Sequence, residues 1–522
     1  MILNYILLII YVTDVILLSR NFFLFFQLDS YQFPSFFRTI KRNVKYCLIP
    51  SLVLTFIFLI DTFLLSGFNI YLKTLINIII TIILYYSRRN INITNAKKDL
   101  VYTKRLKRLY LFYFIFLYLI VYILYDYNLI FILGLFALVI FNLSALAAWP
   151  VEKMINEYYF NLARKKLNSM NNLIKIGITG SYGKTSTKNI MGAIINSYIP
   201  TLVSPFSYNT PMGLTKTIRN MLTPSYRVFI AEMGSRHIGD INKLCKLVYP
   251  QIGVITSVGP QHLDTFGTVD NVKKGKYELI ENLPCKTGYA FFQDDRGIVR
   301  DLFNITNNIN KTLVSIYDSN ADLYINDIKI GAYGSTFTVN FKDNSSFECS
   351  TTLLGENNIK NIAISIAVAK LLNVPDSLII KSISELKPTK SRLELINAGK
   401  YTIINDAFNS NTVGSREALN ILSKFEKRKI IITPGMVELG DQENKLNYEL
   451  GQEIAKVVDI AILVGKKRIV PIKKGIIDSG FNEKNIFVVD SLNDSTSILN
   501  SIVQEGDVVL YENDLPDNYI DA

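Results

Sequence analysis

The chain has 522 residues, 49% of them hydrophobic, with a mean hydropathy of +0.24, 56 Lys and Arg against 44 Asp and Glu, and a formal net charge of +12. It is too long and too apolar for one ordinary soluble domain, so two or three units are expected. Residues 1–150 hold 14 Lys/Arg and 5 Asp/Glu, a net +9, which leaves 42 and 39, a net +3, for residues 151–522; the excess is juxtamembrane charge and excludes a nucleic-acid footprint.

Five apolar stretches stand out first, at residues 2–18, 48–65, 68–86, 109–125 and 129–148. Each is close to the about 20 residues that cross a bilayer core. The first has no basic n-region and no small-residue cleavage site behind it, so it reads as a permanent span. Arg20, Arg38, Lys41, Arg42 and Lys45 lie between the first two stretches, and Arg88, Arg89, Lys97, Lys98, Lys104, Arg105, Lys107 and Arg108 between the third and fourth. The loops at 66–67 and 126–128 have no Lys or Arg. Basic loops stay cytoplasmic, which predicts an outside N-terminus, five crossings, and a cytoplasmic chain from Val151 onward. Asp14, Asp61 and Lys73 fall inside spans, where a charge marks a pathway, forms a pair within a bundle, or snorkels to a span end. The four cysteines, at 47, 245, 285 and 349, share no metal-ligand spacing and suit a reducing compartment.

From Leu173 short β-rich runs alternate with helical patterns: IKIGIT, VFIAEM and IGVITSV, then YTIIND, KIIITPG, IAILVG, NIFVVD and DVVLYE. This predicts two α/β domains with mostly parallel sheets after the helical membrane domain. Residues 312–352 read as hairpins ahead of a helix over 358–372. The expected domains are 1–150, 151–395 and 396–522.

Residues 174–187, IKIGITGSYGKTST, run strand, glycine turn, lysine, hydroxyls, helix. Gly180 and Gly183 let backbone N–H groups converge on phosphates at a helix N-terminus, Lys184 reaches the β/γ oxygens, and Thr185, followed by Ser186, offers a hydroxyl to Mg²⁺. The strict G-x-x-x-x-G-K-[ST] spacing fails, because Ile178 stands where its first glycine belongs. Glu232 and His262 each follow a strand-like run, at the sheet edge where α/β proteins bind ligands, and together suit a divalent ion. His237 reads as an exposed loop residue.

The runs GITGSYGKTSTK, SYNTPMGLTKTI, AEMGSRHIGDINKL, VITSVGPQHLDTFGTVDNVKKGKYELI, LLGENNIKNIAISIAVAKLL, KSRLELI, IINDAFNSN and ITPGMVELGDQENK resemble, in order and spacing, the Mur ligases. The likeness covers about residues 151–522 and leans toward the branch that adds D-Ala-D-Ala. It implies a P-loop central domain with a parallel sheet, a Rossmann-like C-terminal domain, and an ATP-dependent, ADP-forming carboxylate–amine ligase of peptidoglycan precursor synthesis working through an acyl phosphate. Carried onto this chain, it implies Lys184, Lys276 and His262 as catalytic residues. It assigns Gly180, Gly183, Lys184, Thr185, Ser186, Asn358, Asn361, Arg392 and Asp406 to ATP, and Thr185, Glu232 and His262 to Mg²⁺. Asn209 lies near the acceptor, and Lys276 matches a lysine that is carbamylated in most members. The implied partners are a muramoyl-peptide or related carboxylate, an amino acid or dipeptide amine, and membrane lipid.

The chain departs from that pattern in part. Membrane spans stand where the family has a soluble UDP-binding domain. Asn357, Asn405, Phe408, Thr412 and Asn447 replace residues usual in substrate-facing motifs, and the ending VVLYENDLPDNY is also unusual. A lipid-linked glycopeptide or polyglutamate acceptor is therefore a second enzyme reading, and a transporter regulated by its ATP domain is a third.

Overall fold

The computed structural model describes residues 2–63, 70–90, 100–408, 411–437 and 439–514. Residues 66–68, Lys97, Lys98 and the ending after residue 514 lie outside them. The chain divides into two compact units, Met1–Glu157 and Tyr158–Leu515.

The first unit is helical: α1 (Ile2–Leu28), α2 (Phe33–Arg42), α3 (Val44–Phe63), α4 (Ile70–Asn90), α5 (Lys104–Asp126), a 3-10 turn at Ile130–Phe136, and α6 (Ala137–Asn168), which runs on past Glu157. Four stretches, Asn4–Leu28, Val44–Phe63, Lys104–Asp126 and Ile130–Asn168, are long and apolar enough to cross a membrane by length and composition. The third of the five expected spans corresponds to α4, whose described apolar part, Ile70–Tyr85, is shorter than these four. The first runs to Leu28, ten residues beyond its expected end.

The core of this unit is apolar with a few polar side chains buried in it, and its outside is apolar as well. Ser19, Ser51, Thr55, Asn77 and Ser144 are buried with Phe22, Phe23, Phe36 and Phe141, while Phe56, Ile83, Leu111 and Tyr118 face outward. An outer surface of large apolar side chains has no favourable place in water and suits lipid. The buried hydroxyls are satisfied within their own helices, as when Thr55 donates to Ser51 O (2.8 Å) and Ser144 to Ile140 O (2.6 Å). Glu152 of α6 accepts both guanidinium N–H groups of Arg108 on α5 (2.6 and 2.9 Å). The amphipathic α2 was not foreseen: Phe36, Thr39 and Ile40 are buried, and Lys41 and Arg42 close its last turn.

The second unit holds two sheets. The first comprises β1 (Ile174–Thr179), β2 (Thr201–Val203), β3 (Val228–Glu232), β4 (Ile252–Ile255), β5 (Tyr289–Gln293), β6 (Asn310–Ser315), β7 (Leu323–Gly331), β8 (Gly334–Phe341) and β9 (Ser346–Thr351), in the order 2-3-1-4-5-6-7-8-9. Its pairs are parallel as far as β7, and β7, β8 and β9 are antiparallel hairpins, the irregular piece expected at 312–352. Helices cover both faces of the parallel part, so its strands read as continuous apolar runs. Ile176 and Ile178 pack with Ile190, Met191 and Ile194 of the helix α7 (Lys184–Asn196), and with the helix Glu356–Leu371. Phe229 and Ala231 pack with Leu244 and Leu279 on the opposite side.

The second sheet comprises β10 (Glu394–Asn397), β11 (Thr402–Phe408), β12 (Lys429–Thr433), β13 (Ile460–Val464), β14 (Ile486–Val489) and β15 (Val508–Asp514), in the order 10-11-15-12-13-14. Every pair is parallel except β10 with β11.

Candidate active site

Gly180–Gly183 leaves the carboxyl end of β1, between β3 and β4, and turns into α7. Two positions require glycine. Gly180 has φ +154°, and a Cβ there would lie 2.2 Å from Thr256 Oγ1; Gly183 has φ +78°, and a Cβ would lie 2.8 Å from Asn361 Oδ1. The segment after β4 pins the loop: Ser181 N donates to Ser257 O (2.8 Å), Tyr182 N to Ser257 Oγ (2.7 Å), and Gly259 N to Ser181 Oγ (3.0 Å). Lys184 Nζ donates to Gly180 O (2.6 Å) and Ser181 O (3.0 Å). Burial pushes its ammonium down to about 8, opposed by Glu232 and assisted by Arg392.

Glu232 is level with Ile178 in the sheet, so its carboxylate emerges beside this loop. Oε2 accepts from Thr185 Oγ1 (3.0 Å) and pairs with Lys188 Nζ (3.0 Å), and Oε1 accepts from Asn209 Nδ2 (3.0 Å). Burial alone would raise this carboxyl, but Lys188 and Lys184 outweigh it and hold it below the usual range. Lys188 is absent from the residues expected from sequence. It is completely buried and also donates to Phe206 O. The signal was its i, i+4 spacing from Lys184, which puts both lysines on one face of α7.

Lys276, on the helix Val269–Glu281, is also buried, with Nζ donating to Ser235 Oγ (2.8 Å). Burial, reinforced by Lys184, holds its amine well below the usual lysine range despite Asp240 and Glu278. His262 has φ +53° and begins the short helix Leu263–Phe266. Among the described residues no three His, Cys, Asp or Glu side chains converge as a metal-holding group. Exposed His237 stays in its loop, near Asp240 (3.7 Å).

A cavity of about 440 Å³ opens beside α7, and Ser186, Asn358, Leu353, Thr389 and Arg392 are among its lining. Asn361 lies elsewhere: it is buried and accepts from Thr187 Oγ1 (3.0 Å), which braces the phosphate loop from the helix Glu356–Leu371. Burial lowers the Arg392 guanidinium, and the charges of Asp406 and Glu232 oppose that shift. Asp406, in β11, accepts from Leu393 N (3.1 Å), and burial raises its carboxyl to about 6. Asn447, on the helix Glu443–Val457, braces the segment after β12: its buried amide accepts from Met436 N (2.9 Å) and donates to Met436 O and Glu443 O (3.0 Å each).

Mg²⁺ fits part of the expected donor set. The Thr185 hydroxyl and Glu232 carboxylate are hard oxygens 3.0 Å apart at the phosphate end of α7, the donor type that this ion takes together with water and phosphate.

Residues 178–369 match the Mur ligase middle domain and residues 391–511 the Mur ligase glutamate ligase domain, together 313 of 522 residues. The chain belongs to the Mur ligase family. This Mur ligase is 28% identical over 283 residues to UDP-N-acetylmuramoyl-tripeptide--D-alanyl-D-alanine ligase of Bacillus subtilis, 54% of this chain and 60% of that protein. It is 27% identical over 298 residues to the ligase of the same name from Escherichia coli, 56% and 64% of the two chains. The match thus spans less than two thirds of the length of these two relatives. Among solved structures, MurF from Thermotoga maritima in complex with ADP aligns at TM-score 0.60 and 24% identity over 69% of this Mur ligase and 80% of that chain. Folylpolyglutamate synthase from Mycobacterium tuberculosis aligns at 0.52 and 14% over 71% and 96%. These two likenesses concern the fold.

Proposed function

We propose that this Mur ligase is a membrane-anchored, ADP-forming carboxylate–amine ligase of peptidoglycan precursor synthesis that joins D-Ala-D-Ala to a UDP-muramoyl-tripeptide. The observation that carries the reading is the contact of Thr185, Asn209 and Glu232 beside Lys184 on a glycine-turn phosphate loop. A carboxylate is a poor electrophile until one oxygen becomes a leaving group. Transfer of the γ-phosphoryl group to that oxygen releases ADP and leaves an acyl phosphate; the neutral amine attacks the acyl carbon, phosphate departs, and the nitrogen loses a proton.

In this reading the loop N–H groups and Lys184 bind phosphate, Ser186, Asn358 and Arg392 line the nucleotide cavity, and Asp406 takes the ribose. Thr185 and Glu232 would hold Mg²⁺, and the ion when bound would supply positive charge against the phosphates. Asn209 orients the Glu232 carboxylate and faces the acceptor. Burial favours the neutral form of the Lys276 amine, the form that carbamylation by CO₂ requires, and the carbamate would place a negative group near Lys184. His262 would add an imidazole to that metal site. The bundle's length, composition and apolar exterior support membrane insertion, and the basic loops, taken with α4 as a fifth crossing, favour a cytoplasmic side for the ligase domains.

One observation favours a second reading: a helical bundle precedes the residues that match the two Mur ligase domains. A lipid-linked glycopeptide presented at the membrane face is then the acceptor. Full-length protein in nanodiscs, given ATP, D-Ala-D-Ala and either UDP-muramoyl-tripeptide or a lipid-linked form, is expected to release ADP and amide in step with the UDP-linked acceptor. Product with the lipid-linked acceptor alone selects the second reading. Acceptor-independent ATP turnover without amide rejects both.

Lys184 also makes nucleotide binding pH-dependent. Bound phosphate favours its ammonium, whereas the free site releases that proton near pH 8, so ADP binding should take up a proton and weaken as pH rises from 7 to 9. Calorimetry in buffers of different ionisation enthalpy reads the proton directly. Lys184→Arg, which does not titrate there, should flatten the profile.

A further inference from the structure

Among the described residues, nothing in the helical bundle hydrogen-bonds to one of its buried carboxylates. Asp14, midway along α1, is completely buried, and neither of its oxygens has a hydrogen-bond partner. The polar group beside it is Thr81 of α4, whose hydroxyl donates instead to Asn77 O (3.0 Å). Asn77, one turn earlier on α4, is 1% exposed, and its Oδ1 is unpartnered too. One turn before Asp14, Tyr11 donates to Asp61 Oδ2 on α3 and stacks on Phe58. Asp61 Oδ2 is 3.8 Å from Lys73 Nζ on α4, and its Oδ1 has no partner.

Counting charges decides what the cluster lacks. Lys73 is the counter-ion of Asp61, Tyr11 is neutral, and Arg20, farther along α1, is exposed. Asp14 therefore leaves one unit of negative charge in an interior that water does not reach, a state that proteins avoid by pairing or neutralising the group. The unpartnered oxygens of Asp14 and Asn77 are all acceptors. Acceptors without donors call for a proton or a hard cation, and a deficit of one charge calls for a monovalent one. Ionisable groups inside spans are functional by default, and this one is buried by α1 and its neighbours and not by lipid alone.

We propose that Asp14, with Thr81 and Asn77, forms a monovalent-cation site inside the bundle, filled by H⁺ or Na⁺, beside the charge-balanced pair Asp61–Lys73. The site gives the helices a task besides anchoring and is independent of ligase chemistry. It rests on the membrane reading only for what surrounds the bundle.

The test uses the full chain in lipid nanodiscs, with infrared spectra recorded in sodium and in choline buffers and ²²Na⁺ binding measured in parallel. A protonated-carboxyl band at neutral pH in both buffers, lost in Asp14→Asn and kept in Asp61→Asn, establishes the proton. Retained ²²Na⁺ that Asp14→Asn abolishes, with the acid band appearing only in choline, establishes sodium. Neither band nor sodium, or a band that vanishes in Asp61→Asn alone, overturns the proposal. Size-exclusion profiles and ADP binding by the variants report folding separately. Release of the chain from membranes by alkaline carbonate would sink the membrane reading and leave the cation site standing.

Discussion

Lys188→Met is expected to destabilise the ligase unit by about 3–5 kcal/mol, the cost of leaving one member of a buried ion pair without its partner. Lys188 and Glu232 are 0% and 1% exposed at the side chain and 3.0 Å apart. Removing the ammonium leaves the carboxylate with only the neutral donors of Thr185 and Asn209. The Phe206 carbonyl, which Lys188 also holds, loses its donor at the same time. Adding Glu232→Gln removes the stranded charge, so the double variant should recover a large part of the lost stability and none of the activity. Calorimetry of wild type, both single variants and the double variant gives the coupling energy. A loss below about 1 kcal/mol for Lys188→Met would show that water reaches the pair.

Lys184→Ala has the opposite signature. It should lower ADP formation by about 10²–10³-fold, the scale set by removing one donor aimed at developing charge. Stability should stay level or rise. The Lys184 ammonium titrates near 8 in the folded chain and at 10.5 when unexposed to the fold, so the folded state binds fewer protons between those values. Its burial therefore costs stability below pH 8, and the deficit closes as pH rises toward 10.5. At pH 7 the alanine variant escapes that cost. A variant that is both inactive and markedly less stable would mean that the two carbonyl contacts to Gly180 and Ser181 hold the loop together.

Much of the site was legible because its residues sit at fixed distances from strand ends. A glycine turn between an apolar run and a helix announces a phosphate loop, and a carboxylate closing VFIAE must emerge at the same sheet edge. Lys188 was less legible. Its spacing shows which face of α7 it shares, but burial depends on β3 and the Phe206 loop closing over it, contacts made by residues 18 and 44 positions away. Asn361 and Asn358 look alike in sequence, yet one braces the loop and the other lines the cavity, because only Asn361 is met by the Thr187 hydroxyl of α7.

The sequence by itself determined the helical region, the two α/β domains, the phosphate loop and the family, since hydropathy and spacing along the chain are local properties. The tertiary structure alone decided which charges are buried and what each one meets. It paired Lys188 with Glu232, buried Arg392, and among the described residues left the Asp14 carboxylate without a hydrogen-bond partner. Burial and pairing are sums over neighbours distant in sequence, and no local pattern records them.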